Sequence, residues 1–180
     1  MGKTEIPGGF EDGCAIAVKS GQEIWLIGGY FTEKRILKFN VESHTFQVLP
    51  FQLNVGRWNL KCAFIPNTNK IMVTGGFDNG SPDSTEILDT EDGSVTMASP
   101  MNSKRSDHGM GVLTINGEDR LAVFGGQNRR NSLDTVELYN AKTEEWETSD
   151  IKLSEPKYHF GFLSAKLSNI LSELQCSNNN

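Results

Sequence analysis

The chain has 180 residues, of which 37% are hydrophobic and 22% charged, and its net charge is −6. That balance belongs to a globular chain of single-domain length rather than a disordered one. The acidic charge excludes a dedicated nucleic-acid binder, and the lack of any apolar stretch approaching 18 residues excludes a membrane-spanning helix.

Residues 1–13 form a polar, glycine-containing lead without periodic signal. They show no apolar core of a signal peptide, and Ile6 stands where an N-myristoylation motif wants serine or threonine. Strands are then expected at 14–19 and 23–27, followed by a loop and strands at 35–41 and 46–49. The cycle restarts with strands at 60–65 and 70–74 across Pro66-Asn67-Thr68-Asn69, a cluster of turn formers. Strands at 85–89 and 95–98 follow. A third cycle has strands at 109–115 and 120–124 around Asn116-Gly117, a strong hairpin signal, then strands at 134–139 and 146–148. Phe160 to Lys166 reads as one further strand, and 167–174 as a segment of helical apolar spacing.

Three of these strands end in paired glycines: Gly28-Gly29, Gly75-Gly76 and Gly125-Gly126. Their first members lie 47 and 50 residues apart, which marks an internal repeat. Downstream of each doublet, two larger apolar residues stand seven apart: Phe39 and Phe46, Leu88 and Val95, Tyr139 and Trp146. A doublet after a buried strand, followed by this pair, resembles the kelch repeat. The third unit matches best; the second departs from the pattern, with Leu88 and Val95 in the aromatic places.

The resemblance implies an all-β chain, a kelch-type β-propeller that is partial here. It has three four-stranded antiparallel blades plus the first strand of a fourth. The lead is 1–13, the kelch blades 14–50, 51–99 and 100–149, the start of a fourth 150–166, and the tail 167–180. Propellers close with four to eight blades, so this chain is read as a fragment or truncated relative of a longer protein. The alternative is that two copies close a ring together, and a complete, folded chain is expected to self-associate or aggregate through its open blade edges. A β-branched residue at Gly125 or Gly126 is expected to disrupt the third blade, and one at the turn glycine Gly93 to matter less.

Chemistry is sparse. The three histidines and three cysteines form no set with zinc spacing, and the aspartates after Phe77 do not fit a calcium loop. No nucleophile elbow, phosphate loop or metalloprotease motif is present. No catalytic residue, metal or cofactor is assigned. His108 and His159 fall just before a strand in successive cycles and are read as repeated hydrogen bonds to a neighbouring blade. Cys14 and Cys62, each in an apolar run, are read as reduced, buried thiols in a reducing compartment, hence a cytoplasmic location. Trp25, Tyr139 and Trp146 are read as core.

What remains is a non-catalytic protein-interaction module. The resemblance implies partner or substrate recognition, as in ubiquitin-ligase adaptors or actin-associated kelch proteins. The alternative is a kelch-propeller enzyme (an oxidase, mutarotase or specifier) whose active-site blades lie outside this chain. The second-to-third loops and the blade-to-blade connections share one face. They carry nine Lys/Arg and six Asp/Glu, against three and eight on the opposite face. Arg35, Arg57, Trp58, Arg105, Arg129 and Arg130 are therefore expected to meet a protein or peptide with an acidic segment, with no nucleic-acid or membrane partner.

Overall fold

The computed structural model describes residues 5–77, 83–129 and 131–159. Within them lie twelve strands: β1 (Cys14–Val18), β2 (Glu23–Ile27), β3 (Arg35–Asn40), β4 (Thr45–Gln52), β5 (Lys61–Phe64), β6 (Lys70–Thr74), β7 (Thr85–Asp89), β8 (Val95–Ala98), β9 (Gly109–Ile115), β10 (Glu118–Phe124), β11 (Thr135–Asn140) and β12 (Glu145–Lys152). They form three four-stranded antiparallel sheets in sequential order, the meanders expected of three propeller blades. The expected strand at 160–166 and the tail at 167–180 lie outside the described residues.

The seven-residue spacing has a simple meaning. Phe39 sits directly opposite Phe46, Leu88 opposite Val95 and Tyr139 opposite Trp146, so each pair is one cross-strand contact around a tight turn. The rings of Tyr139 and Trp146 are 5.3 Å apart and tilted, a favourable aromatic arrangement. Strand period then decides which blade each residue meets. Ile71 and Val73 of β6 face Trp25 and Ile27 of the first blade. Met72, between them, faces Leu121, Val123, Tyr139 and Trp146 of the third. Trp25, Tyr139 and Trp146 are all core.

Strands β4 and β12 run longer than their apolar residues indicate, to Gln52 and Lys152. A register shift opposite Arg35–Leu37 and Thr135–Glu137 lets each edge strand continue past its cross-strand pair. Such pairing depends on the backbone of the partner strand, which a hydrophobic pattern does not report.

Each glycine doublet is a clasp between blades. The first N–H donates within its own blade: Gly28 to the carbonyl of Arg35, Gly75 to Ser84 and Gly125 to Thr135, at 3.0–3.1 Å. The second N–H donates to the connection entering the next blade: Gly29 to Arg57, Gly76 to Arg105 and Gly126 to Lys157, at 3.0, 2.9 and 2.7 Å. All six glycines have positive φ. A Cβ on Gly76 would lie 2.5 Å from the Trp58 carbonyl oxygen, so both conformation and space demand glycine. Beside the clasps runs a column of backbone bonds. Asn59 N–H donates to Asp12, Asp107 to Asn59 and His159 to Asp107. Those four residues share a left-handed conformation, with φ of 54–55°.

Two expectations are corrected here. Cys14 and Cys62 are not separate thiols: they are joined as a disulfide, with Cα atoms 5.9 Å apart. The sequence places them 48 residues apart, and only the packing of β1 beside β5 brings them together. The ground for expecting a reducing compartment goes with the free thiols; Cys176 lies outside the described residues. Gly93 is likewise no neutral surface turn, because it is buried and a Cβ there would run into the Phe51 ring. Gly117 is an open position, with φ +80° and nothing within 4 Å.

Substituting alanine at Gly76 and at Gly117 separates crowding from backbone strain. Both variants carry the left-handed penalty of about 1–2 kcal/mol. Only Gly76→Ala also drives a Cβ into the backbone of Trp58 and Leu60, in the connection that enters its own blade, so calorimetry is expected to show it losing at least about 2 kcal/mol more than Gly117→Ala. Equal losses would show that the close approach at the doublet is not what the glycine is for.

Candidate functional site

The arginines picked out by loop position divide into two groups. Arg57 and Arg105 are fully buried. Arg57 donates from Nη2 to Glu86 Oε1 at 2.9 Å and from Nη1 to the carbonyls of Gly75 and Ser84, both at 2.9 Å. Arg105 repeats the arrangement: Nη2 to Glu137 Oε1 at 2.8 Å, Nη1 to the carbonyls of Gly125 and Thr135 at 2.7 and 3.0 Å. Backbone N–H groups complete each carboxylate, from Asn54 and Val55 on Glu86 and from Asn102 and Ser103 on Glu137. Neither guanidinium has donors left for a partner, so these two residues leave the binding face. The reason is desolvation: a buried charge is tolerable only when paired and fully hydrogen-bonded.

The signal for this was in the sequence. Asn54 to Asn59 and Asn102 to Asp107 share the pattern Asn-x-x-Arg-x-Asn/Asp, and Glu86 and Glu137 each stand two residues before the apolar member of the cross-strand pair. In the first blade the corresponding positions hold Phe10 and Leu37, an apolar pair where the other blades have an ionic one. Without Arg57 and Arg105, the loop face has seven Lys/Arg against six Asp/Glu, and its positive excess nearly vanishes.

Arg35 stays at the surface of that face, half-buried, with Nη2 donating to the Pro7 carbonyl at 2.6 Å. Arg129 is exposed, and Arg130 lies outside the described residues. Trp58 is the residue of the six with the most telling surroundings. Tyr30 and Phe31 meet edge to face at 5.0 Å, Tyr30 meets Trp58 edge to face at 5.7 Å, and Trp58 stacks on Phe77 at 6.1 Å. Tyr30 is 49% exposed and Phe31 66%. Trp58 and Phe77 exchange backbone bonds, and Tyr30 N–H donates to Glu11, so main chain fixes the ladder. Tyr158, half exposed, occupies the position equivalent to Trp58 two connections later. Tyr30 and Phe77 each immediately follow a doublet, a regularity that could have flagged them.

His108 is fully buried, and its Nε2 shares a hydrogen bond of 2.8 Å with Thr74 Oγ1 of the second blade. His159 Nε2 meets Asp107 Oδ1 at 2.8 Å. Both histidines thus bond to the neighbouring blade, as their periodicity predicted. Burial, reinforced by the charges of Arg105, Lys61 and Arg57, holds the His108 pKa well below the usual histidine value. Among the described residues no three of His, Cys, Asp or Glu sit together as a metal site would require.

The opposite face holds an open groove of about 1110 Å³ between the second and third blades, bordered by Pro66, Asn67, Gly117 and Tyr139. Its cations are engaged: Arg120 with Glu147 at 2.8 Å and Lys142 with Glu118 at 3.5 Å.

A family model described as the kelch motif matches residues 105–148. A kelch repeat-containing protein of Dictyostelium discoideum is 28% identical over 132 residues, covering 69% of this chain and 20% of that relative. The chain therefore spans about a fifth of the length of the curated relative it matches.

Breaking one buried ion pair is expected to cost about 3–5 kcal/mol. Glu86→Leu alone should reach that range in denaturant unfolding, while Glu86→Leu with Arg57→Phe, which copies the first blade, should recover part of the loss. A double variant no better than the single one would mean that the pair is not a separable unit.

His108 gives a pH dependence. Its folded-state pKa is depressed, so the unfolded state takes up the proton first. The stability tied to neutral His108 is fully present above the unfolded value of about 6.5 and falls below it, by at most about 1.4 kcal/mol per pH unit, until the folded pKa is reached. Unfolding at pH 7, 6 and 5 is expected to show a steeper decline for the parent than for His108→Gln. Parallel profiles would place the titration elsewhere.

Proposed function

The chain belongs to the kelch-repeat proteins, and from that premise we propose that it recognises a protein or peptide through the face carrying the second-to-third loops and the blade connections. Kelch repeats generally mediate protein–protein interaction. One observation supports this face above all: the ladder Phe31–Tyr30–Trp58–Phe77, which leaves two large aromatic side chains about half to two-thirds exposed on a rigid support. Contiguous exposed apolar surface of this kind marks interaction sites, and aromatic anchors dominate their energetics. Arg35 and Arg129 remain on the rim as donors to carboxylates of the partner. With the face's net charge nearly balanced, the aromatic ladder rather than an acidic segment sets affinity. Substrate recruitment to a ubiquitin ligase and association with actin are the two finer roles proposed. Actin cosedimentation and cullin-complex capture with the parent chain distinguish them.

For whichever partner is retained, Phe31→Ser and Trp58→Ala are expected to weaken binding by at least tenfold each. Charge reversal at Arg129 and Arg130 should cost less and mainly change the salt dependence. Binding that survives both aromatic substitutions but is lost when Glu144 and Glu145 are reversed would move the site to the opposite face.

A further inference from the structure

The boundary between the first and second blades differs from the next one in chemistry. Between the second and third blades, Thr74, His108 and Met110 meet through hydrogen bonds. Between the first and second, the places of Thr74 and His108 hold Ile27 and Leu60, and a disulfide crosses from Cys14 at the start of β1 to Cys62 in β5. Cys14 follows Asp12 by two residues, and the Asp12 carbonyl accepts the N–H of Asn59. Asn59 in turn adjoins Trp58, the rung that joins Tyr30 of the first blade to Phe77 of the second. The covalent tie thus lies beside the backbone bond that sets the position of the aromatic ladder.

We infer that the Cys14–Cys62 disulfide is a reducible modification site that governs the geometry of the aromatic face, an inference that rests on the proposed role of that face. Low-molecular-weight thiols are the chemical class it takes. Cys14 is the more buried of the two residues, at 9% exposure, and Cys62 is partly buried, so the attack is assigned to Cys62. A thiolate such as that of glutathione attacks Cys62 Sγ. The S–S bond breaks, a mixed disulfide forms on Cys62, and Cys14 leaves as a thiolate that takes up a proton. A second glutathione thiolate attacks the glutathione sulfur of that mixed disulfide, Cys62 leaves and is protonated, and oxidised glutathione departs. Two thiols are oxidised for one disulfide reduced. The first blade then keeps its clasp at Gly29 but loses its covalent link, and the Tyr30–Trp58 contact across the boundary loosens.

The test uses the full chain without any partner, so its outcome is separate from that of the binding experiment. Alkylation and mass mapping of non-reduced protein should give a linked Cys14–Cys62 peptide. Reduction with dithiothreitol should lower Tm by about 5–10 °C. It should also diminish the near-ultraviolet circular dichroism at a temperature where the chain remains folded. Cys14→Ser/Cys62→Ser should match the reduced protein and ignore dithiothreitol. In Trp58→Leu the redox-dependent part of the spectrum should be much reduced. Two freely alkylated cysteines in unreduced protein would overturn the inference. So would identical Tm and spectra in the two redox states, or a redox-dependent spectrum unchanged in Trp58→Leu.

Discussion

Where one blade meets the next, a backbone N–H must come within hydrogen-bonding distance of a carbonyl on an entirely separate segment of chain. A Cβ on the residue before the donor would meet that same carbonyl, at 2.8 Å for Gly28, 2.6 Å for Gly125 and closer still for Gly75. The doublet solves this: the first glycine leaves room for the carbonyl and the second donates to it, and the column through Asp12, Asn59, Asp107 and His159 runs beside these clasps. The Arg57–Glu86 and Arg105–Glu137 pairs, the His108–Thr74 bond and the exposed ladder all occupy connections that these clasps hold in place. Hydrophobic packing between sheets supplies attraction without direction; the backbone clasp supplies the direction.

Burial of Arg57 and Arg105 changes what the loop face is. Loop arginines read from composition look like a basic surface, yet each is turned inward by three carbonyl or carboxylate acceptors and shielded by its own connection. Removing them leaves a nearly neutral face with concentrated aromatic area. A neutral, aromatic surface gains less from long-range steering and more from shape and desolvation, which is a different kind of recognition from the one that net charge suggested.

The repeat was legible because it rests on local demands. Positive φ needs glycine, a cross-strand pair around a tight turn needs a fixed spacing, and a core strand needs an apolar run. All twelve strands fall within a few residues of where those demands place them. What failed to show were the relations between blades. Cys14 and Cys62 become neighbours only through the packing of β1 on β5, Phe51 reaches Gly93 from another blade, and β4 and β12 are lengthened by their partners. Arg57 and Arg105 belong to an intermediate class. Their repetition at one register was visible, as it was for His108 and His159, and by the same reasoning repetition pointed to structure rather than recognition.

The disulfide has a topological effect distinct from chemistry. Cys14 is the first residue of β1 and Cys62 lies beyond the end of β4, so the entire first blade sits inside one covalently closed loop. Tension applied between the chain ends would pass from Cys14 straight to Cys62 and bypass all four strands. With the bond intact, the 48-residue separation stays hidden from extension, about 160 Å of contour at full stretch. The blade that begins the repeat is mechanically a ring hung on the chain rather than a stretch of it.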